Sequence, residues 1–414
     1  MNDARGSERI NNHAAFIWSV ADLLRGDYKQ SEYGKVILPL VVLRRFDCVL
    51  APGKAAMLAK YAEVKDTYEN FAPFLERSSG NNGAAGIKGL WNVSEFDIAK
   101  VLDDSDSLAD NLAKYIAGFS PQVREILHRF DLATQITKLD RANLLYRVLS
   151  KFANLDLHPD KVSNIEMGYL YEELIRRFAE LSNETAGHHF TPREVIRLMV
   201  DLLFDEDDAV LSTPGIAKTI FDPACGTGGI LSVAEEYIRQ LNPRATIAVY
   251  GQELNAETYA ICRSDMMLKG QTADNIILGN SLKPSAESDR SDDKGDGHQG
   301  QTFDYLLANP PFGVEWKKVE SEVRGEAADH GFSGRYGAGL PRINDGSFLF
   351  LQHMLDHHRG RGGAPFVYDW RTKNESLLWI ADAVAGAAAD WVTGKTGEWY
   401  DQLHDRGVLT VHYV

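Results

Sequence analysis

The sequence predicts an α/β fold in which an all-helical N-terminal domain precedes a parallel sheet. Residues 10–150 carry helical periodicity with few strand signals. From about residue 219, short β-rich runs alternate with helical segments, which is typical of a parallel sheet with crossover connections. We therefore expect a helical domain at 1–155, a sheet-containing domain at 156–369 and an atypical C-terminal segment at 370–414.

The composition is that of a globular cytoplasmic protein. The 414 residues are 44% hydrophobic, enough for two or more domains with cores of their own. The longest apolar runs fall far short of a membrane span, and the polar start MNDARGSER shows no signal peptide. Cys48, Cys225 and Cys262 are scattered without a C-x-x-C pair, which indicates a reducing compartment and no zinc site.

The net charge of −15 argues against a chain that binds nucleic acid alone, because affinity for phosphates comes from clustered Lys and Arg. If DNA is the substrate, we expect a partner to hold it. The alternative, an ordinary acidic balance that says nothing about partners, fits the composition equally well.

Helical periodicity is clearest in segments 13–26, 36–50 and 165–181. The third has apolar or aromatic residues along one side, a stripe that predicts packing on a core rather than chemistry.

A glycine-rich turn between a strand and a helix lies in 220-IFDPACGTGGILSVAEEYI-238. Gly226, Gly228 and Gly229 let the backbone approach a ligand closely, and the helix that follows offers free N–H groups. A nucleotide-type cofactor is the expected ligand. The turn differs from the dinucleotide fingerprint, because Leu231 stands where that motif needs a glycine.

The next two predicted strands end in polar residues that suit the same cofactor. Glu253 follows 245-ATIAVYGQ-252, where an acidic side chain can accept both ribose hydroxyls. Asn280 ends the third strand, where an adenine amino group can be recognised. For Glu253 taken alone, a solvated side chain after a strand is the favoured interpretation.

The fourth strand ends in Asn309-Pro310-Pro311-Phe312, within 303-FDYLLANPPFGVEW-316. The prolines stop the strand and fix φ. The side-chain oxygen of Asn309 and the carbonyl of Pro310 are two adjacent acceptors, which suit a planar amino group. Phe312 offers a face on which the ring that carries this group can stack.

This set resembles adenine-N6 DNA methyltransferases, and the chain up to about residue 360 is similar to the modification subunits of type I restriction-modification systems. Besides the tetrapeptide, the similarity rests on 16-FIWSVADLLRG-26, 33-YGKVILPLVVLRRFD-47, 187-GHHFTPREVIRLMV-200 and 346-GSFLFLQHML-355, which occur in the order of the family. The resemblance implies a Rossmann-like sheet that binds S-adenosylmethionine and a methyl transfer to an adenine that is flipped out of the duplex.

The resemblance also assigns roles to individual residues. Asn309 to Phe312 would hold the target adenine, and the cofactor would contact a set of residues from four segments: His188, His189, Phe190, Thr191, Pro192, Arg193, Asp222, Gly226, Thr227, Gly228, Gly229, Glu253 and Asn280. Segment 190–194 is also a good helix start, with Thr191 as N-cap and Pro192 in the first turn.

The family resemblance implies partners for the chain. A separate specificity subunit would read duplex DNA, two modification subunits would bind it, and a restriction subunit would join for cleavage. Two alternatives stay open: a methyltransferase that acts on protein glutamine or RNA, and a catalytically silent assembly subunit.

Three segments in the second half of the chain are not explained by the motifs above. From Trp370 the resemblance is lost, so we expect a truncated or frame-shifted end. Between Lys283 and Thr302 no large apolar residue occurs, so we expect a solvated, disordered insert. Residues 313–344 are rich in glycine and arginine, and they predict either a cover over the flipped base or a flexible surface loop.

The histidines at 353, 357 and 358 have the helical spacing of metal ligands. Methyl transfer needs no metal, so we expect a solvated helix end there.

Overall fold

The computed structural model describes residues 2–81, 87, 89–182, 191, 193–204, 207–285, 294–311 and 313–358. The atypical segment 370–414 therefore lies outside the described residues. Among the helices of the described part, none is long and apolar enough to cross a membrane.

The chain forms helices up to residue 211 and then alternates strands with helices. The elements are α1 (Asn2–Leu24), α2 (Tyr33–Leu50), α3 (Lys54–Val64), α4 (Ala72–Asn81), α5 (Ile98–Leu102), α6 (Leu108–Ala117), α7 (Pro121–Arg129), α8 (Leu132–Arg141), α9 (Leu145–Ala153), α10 (Asn164–Ser182), α11 (Arg193–Phe204), α12 (Asp208–Leu211), β1 (Ala217–Asp222), α13 (Gly229–Leu241), β2 (Thr246–Glu253), α14 (Ala256–Leu268), β3 (Ile276–Leu278), β4 (Tyr305–Leu306), α15 (Glu320–His330) and α16 (Ser347–Asp356).

The predicted helices at 13–26, 36–50 and 165–181 are confirmed as parts of α1, α2 and α10. α2 is the most buried helix of the N-terminal region, and it continues through Pro39 without ending there. The apolar run Val36–Leu43 therefore forms the centre of the helical core, with α1, α8, α9 and α10 packed around it.

A pair of arginines in α2 holds the chain that links the helical region to α10. Arg45 is completely buried and donates hydrogen bonds to the carbonyl oxygens of Leu157 and Val162 and to Asn164 Oδ1, the last two at 2.7 Å. Arg44 donates to Leu155 O at 2.7 Å. Because a buried carbonyl without a donor costs free energy, these guanidinium groups fix the path of the linker.

The four strands form one parallel sheet in the order β3-β2-β1-β4. This confirms the predicted parallel sheet and all four predicted strands. β1 is central: Asp222 pairs with Gly251 of β2, and Phe221 pairs with Leu306 of β4. The carboxyl ends of β1, β2 and β4 consequently lie at one edge.

β4 is shorter than the apolar run 303–308 predicts. At Asp304 the side chain, rather than the backbone, accepts the hydrogen bond from the neighbouring strand β1. Its Oδ2 accepts from Thr219 N at 2.9 Å and from Thr219 Oγ1 at 2.8 Å. The pairing then continues beyond β4, where Leu307 N donates to Phe221 O at 3.1 Å. The chain therefore stays aligned with β1 up to the Asn-Pro-Pro segment.

The helical region and the sheet share one continuous hydrophobic core. α10 packs on α1 and α2 and also on α14, which covers the sheet. Arg263 of α14 forms ion pairs at 2.5 Å with Glu125 of α7 and with Asp274 before β3. These contacts fix the helical region against the sheet.

The expectation of a solvated insert at 283–302 is wrong for its second half. Asp296 and His298 are 2% exposed, and the backbone of 294–300 lies against β2 and β3. The glycines of this stretch permit the approach: a Cβ on Gly297 would stand 2.6 Å from Ile277. Glycine here serves close backbone contact rather than flexibility.

The segment 313–344 is ordered, so the alternative of a flexible loop is wrong. It contains α15 and forms a small core of Leu282, Trp316, Val319, Val323, Tyr336 and Leu349, which joins it to the end of the sheet and to α16.

The expected solvated end of α16 is also wrong for two of its three histidines. His353 and His357 are completely buried beside Asp296, and only His358 is exposed. Both ring nitrogens of His357 are paired: Nε2 lies 3.1 Å from Asp296 Oδ2, and Nδ1 lies 2.7 Å from Gln301 O. His353 Nδ1 lies 2.9 Å from Arg335 Nη1, whereas its Nε2 has no hydrogen-bond partner among the described residues.

We predict that Arg45→Met lowers the free energy of unfolding by about 3 kcal/mol, because it leaves buried carbonyl groups without donors. Urea denaturation followed by tryptophan fluorescence measures the change. As a control, Arg25→Met removes an exposed ion pair with Asp22 and should change the value by less than about 0.5 kcal/mol. Equal effects of the two substitutions would contradict the role of Arg45.

Candidate functional site

The candidate site lies at the carboxyl edge of the sheet, where three turns meet. They follow β1, β2 and β4 and contain residues 222–229, 253–255 and 307–311. Between β1 and β4 the strand order reverses, and such a reversal opens a crevice for ligands.

The turn 222–229 has the backbone of a close-approach loop. Gly226 has φ of 54° and Gly228 has φ of 84°, a region that side chains rarely adopt. A Cβ on Gly228 would lie 2.7 Å from Cys262 Sγ, whereas the space beside Gly226 is open. Gly228 therefore serves packing against α14, and Gly226 leaves room on the crevice side.

Glu253 connects the turn after β2 to this glycine loop. Its Oε2 accepts from Gly226 N at 2.8 Å, and its Oε1 accepts from Asn255 N at 2.7 Å. Burial raises the pKa of Glu253, although both of these backbone N–H groups oppose the shift. The two hydrogen bonds fix the carboxylate at the crevice while each oxygen keeps a further lone pair.

Asp222 ends β1 and is completely buried. Its Oδ1 accepts from Ala224 N at 2.9 Å, but Oδ2 has no hydrogen-bond partner among the described residues. Burial raises the pKa of Asp222 to about 8, and the nearby charge of Glu253 adds to the shift. An unpartnered buried carboxyl oxygen at a ligand crevice marks a place where a cationic or donor group fits.

Asn309 lies beyond the end of β4, and its side chain is held from outside the sheet. Its Nδ2 donates to Thr191 Oγ1 at 2.8 Å. This contact orients the amide, so that Oδ1 remains the acceptor end of the side chain. Asn309, Pro310 and Pro311 are all half-buried, as residues at the wall of a crevice are.

Asn280 follows β3, and its side chain is engaged in the turn: Oδ1 accepts from Leu282 N at 3.0 Å. The predicted residues His188, His189, Phe190, Pro192 and Phe312 lie outside the described residues, and Arg193 is described only as the first residue of α11.

The structure thus brings together several of the predicted site residues. Thr191 is hydrogen-bonded to Asn309, and Glu253 is hydrogen-bonded to Gly226. The charge of Glu253 also raises the pKa of Asp222. Sequence reasoning placed Thr191 at the cofactor. The hydrogen bond with Asn309 was missed, because nothing in the sequence pairs residues that are 118 positions apart.

A small cavity beside the glycine loop was also missed. Thr227 and Gly229 line it together with Tyr171 of α10 and Asp265 of α14. In the sequence, Tyr171 is only one member of the apolar side of segment 165–181. Its position beside the loop results from the packing of α10 on α14, which the sequence pattern does not predict. α10 therefore lies directly beside the loop.

Asp296, His353 and His357 form the one group of potential metal ligands in the described part of the chain. Arg335 Nη1 lies 2.9 Å from His353 Nδ1 and 3.6 Å from Asp296 Oδ2, so a cation there would face a guanidinium group. Burial lowers the pKa of His357, but the hydrogen bond to Asp296 outweighs this effect and the pKa is raised overall. The arrangement therefore fits a hydrogen-bonded ion-pair network better than a metal site.

The profile of the N-6 DNA methylase family matches residues 163–372, about half of the chain. The HsdM N-terminal domain profile matches residues 13–152, the helical region. The two matches follow the order of the helical and sheet-containing parts of the structure.

Curated relatives are similar along much of the chain. The type I restriction enzyme MjaIX methylase subunit of Methanocaldococcus jannaschii is 23% identical over 372 residues, which cover 85% of this chain and 60% of the relative. The EcoEI methylase subunit of Escherichia coli is 26% identical over 305 residues, which cover 71% of this chain and 54% of the relative. The chain thus spans little more than half the length of these relatives.

One solved structure shows the same fold. The type I restriction-modification system methyltransferase subunit from Streptococcus thermophilus superposes with a TM-score of 0.56 at 20% identity, over 84% of this chain and 72% of that one. This confirms the predicted fold class, a methyltransferase-type sheet preceded by helices.

The raised pKa of Asp222 predicts a pH-dependent stability difference. Between the unfolded pKa of 3.8 and the folded pKa of about 8, Asp222 keeps its proton in the folded state and loses it in the unfolded state. The free energy of unfolding therefore falls as pH rises through this window. The stability of Asp222→Asn relative to the unsubstituted chain should therefore rise, by on the order of a few kcal/mol, as pH increases from about 4 to about 8. Thermal unfolding of both proteins across this range measures it. A difference that does not change with pH would contradict the assignment.

Proposed function

Because this chain belongs to the N-6 DNA methylase family, we propose that it transfers a methyl group from S-adenosylmethionine to the N6 amino group of adenine in DNA. It does so as the modification subunit of a type I restriction-modification complex. The observation that carries the proposal is the position of Asn309, whose oriented amide lies at the same sheet edge as Asp222 and Glu253.

The residues at this edge fit S-adenosylmethionine, which supplies an electrophilic methyl group on a positively charged sulfur. Glu253 would bind the ribose hydroxyls with the lone pairs that its backbone hydrogen bonds leave. The open side of Gly226 admits the backbone-to-ligand approach. The unpartnered Oδ2 of Asp222 suits a donor or cationic group of the ligand.

Asn309 and Pro310 bind the target amine. Asn309 Oδ1 and the carbonyl oxygen of Pro310 each accept one N–H, which directs the nitrogen lone pair away from both acceptors. As the amine nitrogen gains positive charge, both hydrogen bonds become stronger, so they stabilise the transition state more than the ground state. Most of the remaining rate enhancement comes from positioning.

The substrate adenine has to leave the duplex to reach this edge, at a cost of a few kcal/mol. Phe312 is proposed to stack on the flipped base and offset part of that cost. The net charge of −15 leaves the chain with little affinity for DNA phosphates by itself. A specificity subunit therefore holds the duplex, with two copies of this chain, and a restriction subunit joins the complex for cleavage.

We predict that Asn309→Ala abolishes methyl transfer, because it removes one of the two acceptors and leaves the amine free to rotate. The affinity for S-adenosylmethionine should stay within about twofold of the unsubstituted value, since the Asn309 amide donates to Thr191 while Glu253 holds the glycine loop. Transfer of labelled methyl groups to duplex DNA in the presence of the specificity subunit, together with calorimetric cofactor binding, measures both. Near-normal turnover in the variant would sink the assignment.

A second prediction concerns the orientation of the Asn309 amide. Thr191→Ala removes the hydroxyl that binds Nδ2 and should lower kcat about fivefold, the equivalent of one neutral hydrogen bond. Thr191→Ser keeps the hydroxyl and is the matched control, which should retain most of the activity. If both variants lose activity equally, the methyl group of Thr191 matters rather than its hydrogen bond.

A further inference from the structure

Arg335 lies within segment 313–344, and only 5% of its charged side chain is exposed. It is therefore unavailable to DNA phosphates, unlike the exposed Arg324 and Arg342 of the same segment. A buried guanidinium persists only when its charge is paired and its N–H groups find acceptors.

All five N–H groups of Arg335 have acceptors. Nε and Nη2 donate to the two carboxylate oxygens of Glu326 at 2.6 and 2.8 Å. Nη1 donates to Ser281 O at 2.8 Å and to His353 Nδ1 at 2.9 Å. Nη2 also donates to Leu282 O at 3.2 Å. A guanidinium group has five N–H donors, so its capacity is fully used.

These acceptors belong to three different elements of the fold. Glu326 is in α15, His353 is in α16, and Ser281 and Leu282 form the turn after β3. Arg335 thus joins the segment that follows the Asn-Pro-Pro motif to the turn that contains Asn280.

The turn after β3 contacts the glycine loop in its own right. Ser281 Oγ donates to Pro223 O at 2.6 Å, and Pro223 directly follows Asp222. Leu282 N donates to Asn280 Oδ1 and so fixes the side chain proposed to recognise the cofactor adenine. The hydrogen-bonded path from Arg335 therefore ends at the glycine loop after β1 and at the turn 280–282 after β3.

We propose that Arg335 is a positioning residue for the cofactor, an inference that rests on the proposed function. It holds the turn 280–282, and through Ser281 the start of the glycine loop, in register with the segment that directly follows the Asn-Pro-Pro motif. Lysine cannot replace it, because a single ammonium group has three donors on one nitrogen and cannot span Glu326, His353 and the two carbonyl groups at once.

The test compares Arg335→Lys with the unsubstituted 414-residue chain and with Arg129→Lys as a matched control. Arg129 pairs with Glu125 in α7 at 2.8 Å, so the control also exchanges an ion-paired guanidinium for an ammonium group. Calorimetry gives the Kd for S-adenosylmethionine, and steady-state assays give KM for cofactor and for DNA separately. Thermal unfolding of each protein reports the loss of stability.

Arg335→Lys should raise both the Kd and the KM for S-adenosylmethionine about tenfold, with the KM for DNA unchanged, because small displacements of binding groups weaken a preorganised site. Arg129→Lys should keep the unsubstituted Kd. A purely structural role would lower the unfolding temperature of Arg335→Lys and leave the Kd of the folded protein within about twofold, and this result would overturn the proposal.

If Arg335→Lys does not fold, Ser281→Ala decides the matter, because it removes only the hydroxyl that binds Pro223. We expect the Kd for S-adenosylmethionine to rise about threefold, the equivalent of one hydrogen bond, and an unchanged Kd would overturn the proposal. An unsubstituted chain that binds no S-adenosylmethionine would instead overturn the proposed function and this inference with it. Cofactor binding without methylation of adenine would count against the function alone.

Discussion

The candidate site depends on the parallel pairing of β1 with both β2 and β4. Because all three strands run in the same direction, Asp222, Glu253 and Asn309 reach one edge although they are far apart in sequence. Ile220 and Phe221 of β1 are completely buried, so the hydrophobic core that stabilises the sheet also sets this edge. The shared core with α10 extends the same constraint to the helical region.

The site also carries polar groups that stability alone does not favour. Asp222 is buried with an unpartnered oxygen, and burial of such a group costs free energy unless a ligand supplies the missing partner. The neighbouring residue of β1, Phe221, packs on a different set of side chains. The centroid of its ring lies 4.6 Å from that of Phe303, and the ring also contacts the buried imidazoles of His353 and His357. The folded state therefore combines the apolar strand β1, a buried network around Asp296, His357 and Arg335, and the polar edge that contains Asp222.

Local patterns in the sequence predicted the fold and most of the site edge. Strand periodicity and the glycine turn required only neighbouring residues, and the family resemblance that the motifs indicated is confirmed. The errors concern polar residues that are buried through distant partners. Asp296, His353, His357 and Arg335 resemble solvated residues locally, but they contact one another across 18 to 61 positions of the sequence. The contact of Thr191 with Asn309 escaped prediction for the same reason.

The central claim is the chemical identity of the acceptor, and mass spectrometry of the methylated product tests it most directly. The chain would be incubated with its specificity subunit, duplex DNA and S-adenosylmethionine with an isotopically labelled methyl group, and the DNA would be digested to nucleosides. The account predicts the label in N6-methyladenine, because Asn309 and Pro310 present acceptors for a planar exocyclic amine. Label in protein glutamine or in another nucleoside of the DNA, or cofactor binding without any labelled product, would contradict it.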